Sequence, residues 1–210
     1  MLIRIGQEED RRGIADTITE AFYDMFSQLT TDREGVAAGM APMLHPERFT
    51  VAVEEATGEV AGAVALSDAQ GYAFTVLSEV LRQAMGPIKG SLAAAALREE
   101  FYRPKSFEPG QAHLDFVAVR ERERGRGLAG QMLEHLLGRG GYSLYTLEVA
   151  EGMEHVMPLY ESLGFREIRQ EKEKAAWFKG FSFRRVMALR PGDEPGARET
   201  ANGMKEGIRR

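Results

Sequence analysis

The chain has 210 residues, of which 43% are hydrophobic and 28% are charged, as is typical of a soluble globular protein with one sizeable core. Its formal net charge of -5 argues against a general nucleic-acid-binding protein, and its zero cysteines exclude disulfides, thiolate metal sites and a cysteine nucleophile. The apolar runs are too short to span a bilayer, and the first residues lack the pattern of a signal peptide. We therefore expect a cytoplasmic protein that does not enter membranes.

Alternating and helical spacing of apolar residues predicts the elements of the first half of the chain. They are a strand at 2–5, a helix at 14–25, a short helix at 36–44 and a hairpin of strands at 49–53 and 60–66. Residues 72–104 carry two further helical patterns, separated by the run Gly86-Pro87-Ile88-Lys89-Gly90. We interpret this region as a helical insertion, and we expect its breaks at Gly86-Pro87 and at Gly90 to let it move as a lid.

The second half begins with a near-continuous apolar strand at 112–119, which is followed by an amphipathic helix from Leu128 to Leu136. The remaining predicted elements are a strand at 145–149, a short helix at 156–163 closed by Gly164, and a final hairpin of strands at 165–170 and 181–189. We expect residues 1–190 to form one domain. The tail at 191–210 is rich in glycine, proline and charge, and we expect it to be disordered.

A glycine-rich turn, Arg124-Gly125-Arg126-Gly127, lies between the strand at 112–119 and the helix after it. A helix N-terminus exposes N–H groups and a partial positive charge, glycines allow close approach of the backbone, and arginines add charge-assisted hydrogen bonds. These features predict a pyrophosphate cradle. The alternative is a tight turn inside a solvated loop. The turn lacks the Gly-x-Gly-x-x-Gly pattern of a dinucleotide fold and the Lys-Ser/Thr ending of a P-loop.

This turn resembles the core motif of GNAT superfamily acyltransferases, Arg/Gln-x-x-Gly-x-Gly/Ala, which is matched by residues 124–129. Downstream, Leu147-Glu148-Val149 and then Leu159-Tyr160-Glu161-Ser162-Leu163-Gly164-Phe165 are similar to the family's strand, helix and Leu-Gly-Phe ending. The resemblance implies an α/β (α+β) fold with a mixed, mostly antiparallel central sheet flanked by helices. It also implies that the fourth and fifth strands splay apart, so that the pantetheine arm pairs with the fourth strand.

The chain departs from the family pattern at two positions. Glu121 stands where a proline is often found two residues after the fourth strand, and Met153 stands where an asparagine commonly precedes the tyrosine by seven residues. The missing amide removes a hydrogen bond to the pantetheine or its neighbours. We therefore expect weaker or differently seated cofactor binding in the same fold.

The resemblance implies acetyl-CoA as co-substrate and assigns roles to several residues. The backbone of the turn would bind the pyrophosphate, through Arg124, Gly125, Arg126, Gly127, Leu128, Ala129 and Gly130. The fourth strand would line the pantetheine arm, through Phe116, Val117, Ala118 and Val119. Tyr160 would protonate the departing thiolate. The alternative for Tyr160 is ordinary core packing.

Direct acetylation of an amine requires a base, because the ammonium group must lose a proton near pH 7. His113 and Asp115 interrupt an apolar strand two residues apart, so we expect them to face the same side of the sheet. Burial would raise the pKa of the carboxyl group and lower that of the imidazole. Glu148 is the third candidate. The alternative places Asp115 at a loop cap and His113 at the wet end of the strand.

We therefore expect an N-acetyltransferase that acetylates a primary amine of a small molecule or peptide. Alternatives are a non-catalytic acyl-CoA-binding or regulatory module and a protein-interaction domain. The histidines lack metal-site spacing, so no metal is predicted, and neither nucleic acid nor membrane is an expected partner. Trp177-Phe178 is a candidate for an acceptor-pocket wall or a homodimer contact, and Arg184-Arg185 for a half-solvated strand face.

Overall fold

The computed structural model describes residues 1–24, 31–102, 104, 106–173 and 180–192. Two compact units are present, one made of Met1–Pro109 and His113–Gly140 and the other of Gly110–Ala112 and the chain from Gly141 onward. Three expectations fall outside the described residues: the end of the first helix at Met25, the pair Trp177-Phe178, and the tail beyond residue 192.

The first unit contains most of the helices. In chain order its elements are β1 (Leu2–Ile5), α1 (Arg11–Ala21), α2 (Arg33–Met40), β2 (Phe49–Val53), β3 (Val60–Asp68), α3 (Ser78–Met85), α4 (Pro87–Phe101), β4 (Gln111–Val119) and α5 (Leu128–Gly138). The first two residues of β4 belong to the second unit. The second unit continues with β5 (Leu144–Ala150), α6 (Met157–Ser162), β6 (Arg166–Lys172) and β7 (Phe183–Leu189).

The strands form one seven-stranded sheet in the order β1-β2-β3-β4-β5-β7-β6. β2 pairs antiparallel with both β1 and β3, and β7 pairs antiparallel with both β5 and β6. The predicted mixed α/β fold with a mostly antiparallel sheet flanked by helices is therefore confirmed, as are the two predicted hairpins. The splay of the fourth and fifth strands stays a prediction.

In the first unit the sheet is covered by helices on both faces. Ile14 and Ile18 of α1 are fully buried in one core with Val51 and Ala63. Gly62 points the other way, because neighbouring strand residues face opposite sides, and a Cβ atom there would lie 2.6 Å from Cε of Met132 in α5. The absent side chain at Gly62 thus lets α5 pack directly on the strands.

The two helical patterns predicted within 72–104 are found as α3 and α4, but one predicted break is wrong. The chain turns at Gly86, where φ is 81°, and α4 begins at Pro87. Gly90 lies inside α4, and a Cβ atom there would lie 2.4 Å from the carbonyl oxygen of Leu81 and 2.5 Å from Cα of Arg82. Gly90 is therefore a position of close helix packing and not a hinge.

The ends of this helical pair are tied together. The N–H of Val76 donates to Oη of Tyr102 at 3.0 Å, and Nη2 of Arg98 donates to the carbonyl oxygen of Val76 at 3.3 Å. The ring of Tyr72 stacks on that of Tyr102 with centroids 4.6 Å apart. Chain segments that enter and leave the pair are thus joined at its base.

Candidate active site

The glycine-rich turn has the backbone conformation of an open cradle. After β4 the chain forms a 3-10 turn at Glu121–Glu123 and then passes through Gly125 and Gly127, whose φ angles are 75° and 74°. Residues with a side chain rarely adopt positive φ angles, which explains why glycine occupies both positions. A Cβ atom at Gly125 would meet no atom within 4 Å, and one at Gly127 only Nε2 of Gln131 at 3.8 Å. The space in front of this backbone is therefore open to a ligand.

The start of α5 offers hydrogen-bond donors to that space. The first helical bond runs from the N–H of Gln131 to the carbonyl oxygen of Gly127 at 3.1 Å. Among the described residues, no acceptor is present for the N–H groups of residues 127–130. Oriented N–H groups at a helix N-terminus favour an anion such as a diphosphate. The residues of the turn thus fit the pyrophosphate that the sequence predicted.

The arginine side chains of the turn contact protein groups. Nη1 of Arg126 pairs with Oε2 of Glu123, and Nε of Arg124 donates to the carbonyl oxygen of Val119 at 3.3 Å. Both arginines are exposed. Their predicted hydrogen bonds to the anion stay a prediction.

Arg120, the residue after β4, fastens the turn to β3. Its N–H donates to the carbonyl oxygen of Ala61 at 2.9 Å, its Nε donates to that of Val60 at 2.8 Å, and its Nη1 lies 2.7 Å from Oε1 of Glu59. Glu59 also accepts from Arg122, and this hydrogen bond together with the two nearby guanidinium charges lowers the pKa of the Glu59 carboxyl group. The carboxylate therefore stays ionised and holds both arginines.

The proposed cofactor-facing residues of β4 divide into two sets. Phe116 and Ala118 are buried, and the Phe116 ring packs against Phe101 and Phe22 with centroid distances of 5.1 and 5.9 Å. Val117 and Val119 are half-buried. The side chains of the first set serve the core, so only their backbone can serve a ligand.

His113 and Asp115 both lie inside β4, and neither lies at its end or in a loop. His113 is 5% exposed. Asp115 is half-buried, and its Oδ2 accepts a hydrogen bond from the fully buried Ser67. Oγ of Ser67 in turn accepts from the N–H of Ala73 at 2.8 Å, so the hydroxyl proton is committed to the carboxylate. Burial and the charge of Asp115 both raise the pKa of the Tyr72 phenol.

In the second unit Tyr160 lies on α6, just before the turn at Gly164. It is 7% exposed and packs edge-on against Phe165 with centroids 6.1 Å apart. Burial raises the pKa of its phenol to about 12. Within the described part of the chain, its hydroxyl makes no hydrogen bond. Tyr160 is therefore a buried phenol that keeps its proton at neutral pH.

Glu148 on β5 belongs to a buried charged cluster. Its side chain is 12% exposed, and its Oε2 lies 3.7 Å from Nη1 of Arg184. Nε of Arg184 donates to Oε2 of Glu173 at 2.9 Å. Arg184 is itself only 9% exposed, so the expectation that it lies on a half-solvated face is wrong. Ion pairs with two carboxylates stabilise the buried position of Arg184, whereas the neighbouring Arg185 is half-buried.

A family model described as the acetyltransferase (GNAT) family matches residues 12–165. The chain belongs to this family. No curated protein matches it by sequence. An N-acetyltransferase from Staphylococcus aureus Mu50 has a similar structure, with a TM-score of 0.62, 17% identity, and coverage of 90% of this chain and 100% of that one.

Two other similar structures carry more specific names. The ribosomal-protein-alanine N-acetyltransferase from Brucella melitensis has a TM-score of 0.57 and 18% identity, covering 90% of this chain and 99% of its own. The ribosomal-protein-S18-alanine N-acetyltransferase from Escherichia coli has a TM-score of 0.53 and 18% identity, covering 90% and 92%. At such identities these structures show a shared fold.

Several residues of this candidate site carry no signal in the sequence. Ser67 touches Asp115 across 48 positions, and Arg120 touches Glu59 across more. Nothing in the local pattern marks these pairs. In the parts of the chain that the structure describes, no group of three or more metal-ligating side chains is found, and no helix is long and apolar enough to cross a membrane.

Proposed function

We propose that this GNAT acetyltransferase transfers an acetyl group from acetyl-CoA to a primary amine of its acceptor by direct attack. One observation carries the proposal: the open turn at Gly125 and Gly127 leads into N–H groups of residues 127–130 that have no acceptor among the described residues. A diphosphate would satisfy these donors. Arg124 to Gly130 would hold it, and the backbone of residues 116–119 would pair with the pantetheine arm.

When bound, acetyl-CoA supplies a thioester, whose carbonyl carbon accepts the amine and whose leaving group is a thiolate. Tyr160 would donate its phenolic hydrogen to that sulfur. The Tyr160 pKa of about 12 keeps the phenol protonated over the working pH range. A phenol this weakly acidic stabilises the departing charge mainly through a hydrogen bond, and complete proton transfer is not needed.

The amine must arrive neutral, and Asp115 and His113 are our leading candidates for accepting its proton. Ser67 holds the Asp115 carboxylate in one orientation, as a base requires. Glu148 stays the third candidate because Arg184 already engages its carboxylate. The three candidate bases are ranked by measuring turnover at saturating acetyl-CoA for Asp115→Asn, His113→Gln and Glu148→Gln. Unchanged rates in all three variants would remove the assignment.

The acceptor is proposed as a primary amine on a small molecule or peptide. Two proteins of similar structure are named as ribosomal-protein alanine N-acetyltransferases, so peptides with an N-terminal alanine belong in the acceptor screen. A cytoplasmic location and a homodimer are further proposals.

Calorimetric titration with acetyl-CoA tests the cradle. Gly125→Asp places a carboxylate in the open space, and like-charge repulsion should weaken binding by about 30-fold or more. Gly140→Asp is the matched control, since Gly140 also has positive φ (66°) and no atom within 4 Å of a Cβ. Equal binding by both variants would contradict the cradle, and no binding by the unaltered protein would remove the acetyltransferase proposal.

A thiol-release assay with an acceptor screen then tests transfer. The chain has no cysteine, so a thiol reagent reports only the released CoA. Tight acetyl-CoA binding with no turnover on any amine would favour the non-catalytic acyl-CoA-binding module.

A further inference from the structure

The entry to the glycine-rich turn is held from α1 as well as from β3. The backbone N–H of Glu121 donates to Oε1 of Glu20 at 2.7 Å. Glu20 lies in the last turn of α1, where the negative end of the helix dipole disfavours a carboxylate by about 0.3–1 kcal/mol. Helix stability therefore does not explain an acidic residue at this position, whereas the hydrogen bond from Glu121 and the nearby charge of Arg122 do.

Glu121 is the first residue of the 3-10 turn Glu121–Glu123, so its N–H has no partner inside that turn. The preceding residue, Arg120, is fixed to β3 by its backbone and its guanidinium group. With Glu20 added, the chain is fixed at two successive residues just before Gly125. The path of the backbone through the cradle thus starts from a rigid point.

We propose that Glu20 is a positioning residue that holds the entry of the cradle and thereby increases its affinity for acetyl-CoA. This inference rests on the proposed function. Without the contact, the turn must be ordered when the ligand binds, and ordering a few groups costs binding free energy.

The local backbone also suits a proline at position 121. Arg120 has φ -55° and ψ 141°, the extended conformation that a residue before proline prefers. Position 121 is the first residue of a helical turn, where proline's fixed φ fits and where its missing N–H removes only the hydrogen bond to Glu20. In this chain Glu121 occupies the position, so a hydrogen bond to Glu20 provides the restraint that a proline ring would provide covalently.

The test uses variants that separate the hydrogen bond from the charge. Glu20→Ala and Glu20→Gln both remove a negative charge near the anion site, but only the Gln variant keeps an oxygen that can accept from Glu121. Calorimetry with acetyl-CoA should show binding about three- to tenfold weaker for Glu20→Ala than for Glu20→Gln. Thermal unfolding confirms that both variants are folded.

A second substitution tests rescue. Adding Glu121→Pro to Glu20→Ala should restore binding to within about twofold of Glu20→Gln, because the ring supplies the lost restraint. Adding Glu121→Ala instead should leave binding weak, which controls for loss of the Glu121 carboxylate.

Equal affinities of the Ala and Gln variants at position 20 would overturn the inference while the unaltered protein still binds acetyl-CoA. Failure of the proline to rescue, with the folded state intact, would overturn it too. An unaltered protein that does not bind acetyl-CoA refutes the proposed function first, and this inference with it.

Discussion

Gly90 offers a sharp test of how α3 and α4 are held together, because the usual effect of its replacement should be reversed. Gly→Ala inside a helix normally stabilises by about 1 kcal/mol. At Gly90 the new Cβ would lie 2.4 Å from the carbonyl oxygen of Leu81 and 2.5 Å from Cα of Arg82. Ordinary contacts between heavy atoms lie at about 3.5–4 Å, so the two helices must separate by about 1 Å.

Backbone atoms cannot rotate away as the end of a side chain can, so the cost should lie near the upper end of the ~1–3 kcal/mol typical of overpacking. The net loss for Gly90→Ala is then about 2 kcal/mol, which lowers Tm by about 4–8 °C in a chain of this size. Gly39→Ala in α2 is the matched control, since a Cβ there meets no atom within 4 Å. It should raise Tm by about 2–4 °C.

Thermal unfolding followed by circular dichroism measures both changes, and hydrogen exchange across residues 78–101 shows whether the loss is local to α3 and α4. Faster exchange there in Gly90→Ala, with the rest of the chain unchanged, fits the packing argument. A Gly90→Ala variant as stable as Gly39→Ala would refute it.

Three further predictions concern the second unit. Burial raises the pKa of Tyr160 from 10.0 to about 12, so its contribution to stability is complete below pH 10 and is lost as the pH rises towards 12. This contribution is about 3 kcal/mol, so the free energy of unfolding in urea should fall less at alkaline pH for Tyr160→Phe than for the unaltered protein. Parallel declines would contradict the burial. Thr146→Val removes two buried hydrogen bonds, one from Nε2 of Gln111 (3.0 Å) and one to the carbonyl oxygen of Ala112 (3.3 Å). The loss should lower the free energy of unfolding by about 1–3 kcal/mol, and an unchanged urea midpoint would disprove this prediction. Arg184→Met removes a buried cation that pairs with Glu148 and Glu173 and should lower the free energy of unfolding by about 3 kcal/mol or more. Arg185→Met, at a more exposed site, should cost clearly less, and equal losses would argue against the buried cluster.

The turn between β4 and α5 could be predicted because its determinants are local. Gly125 and Gly127 are needed for positive φ, and the apolar spacing that begins at Leu128 marks a helix. All of this information lies within a few adjacent residues. The same reasoning failed at Gly90, where the cause of the glycine is the backbone of Leu81 in another helix. A glycine needed for close packing has the same appearance in a sequence as one that breaks a helix.

The side-chain environments of the site were less predictable for a related reason. Arg184 and Arg185 are alike in sequence, yet only Arg184 is buried, because Glu148 and Glu173 come from other strands and loops to surround it. The hydrogen bond from Ser67 to Asp115 likewise depends on how distant segments meet. The periodicity of a sequence indicates which face of an element a residue occupies, but it does not indicate which residue it contacts on that face.

The charges around the proposed cradle are largely compensated by neighbouring residues of the chain. The arginines of the turn suggest a positive surface, but Arg126 pairs with Glu123 and Arg122 with Glu59, so much of this charge is already compensated. The N–H groups of residues 127–130 are different, because no described residue accepts from them and the fold orients them together. A field that comes from oriented backbone does not depend on net charge. It depends instead on the path of the chain, and this dependence makes the contact between Glu20 and Glu121 relevant to the proposed binding.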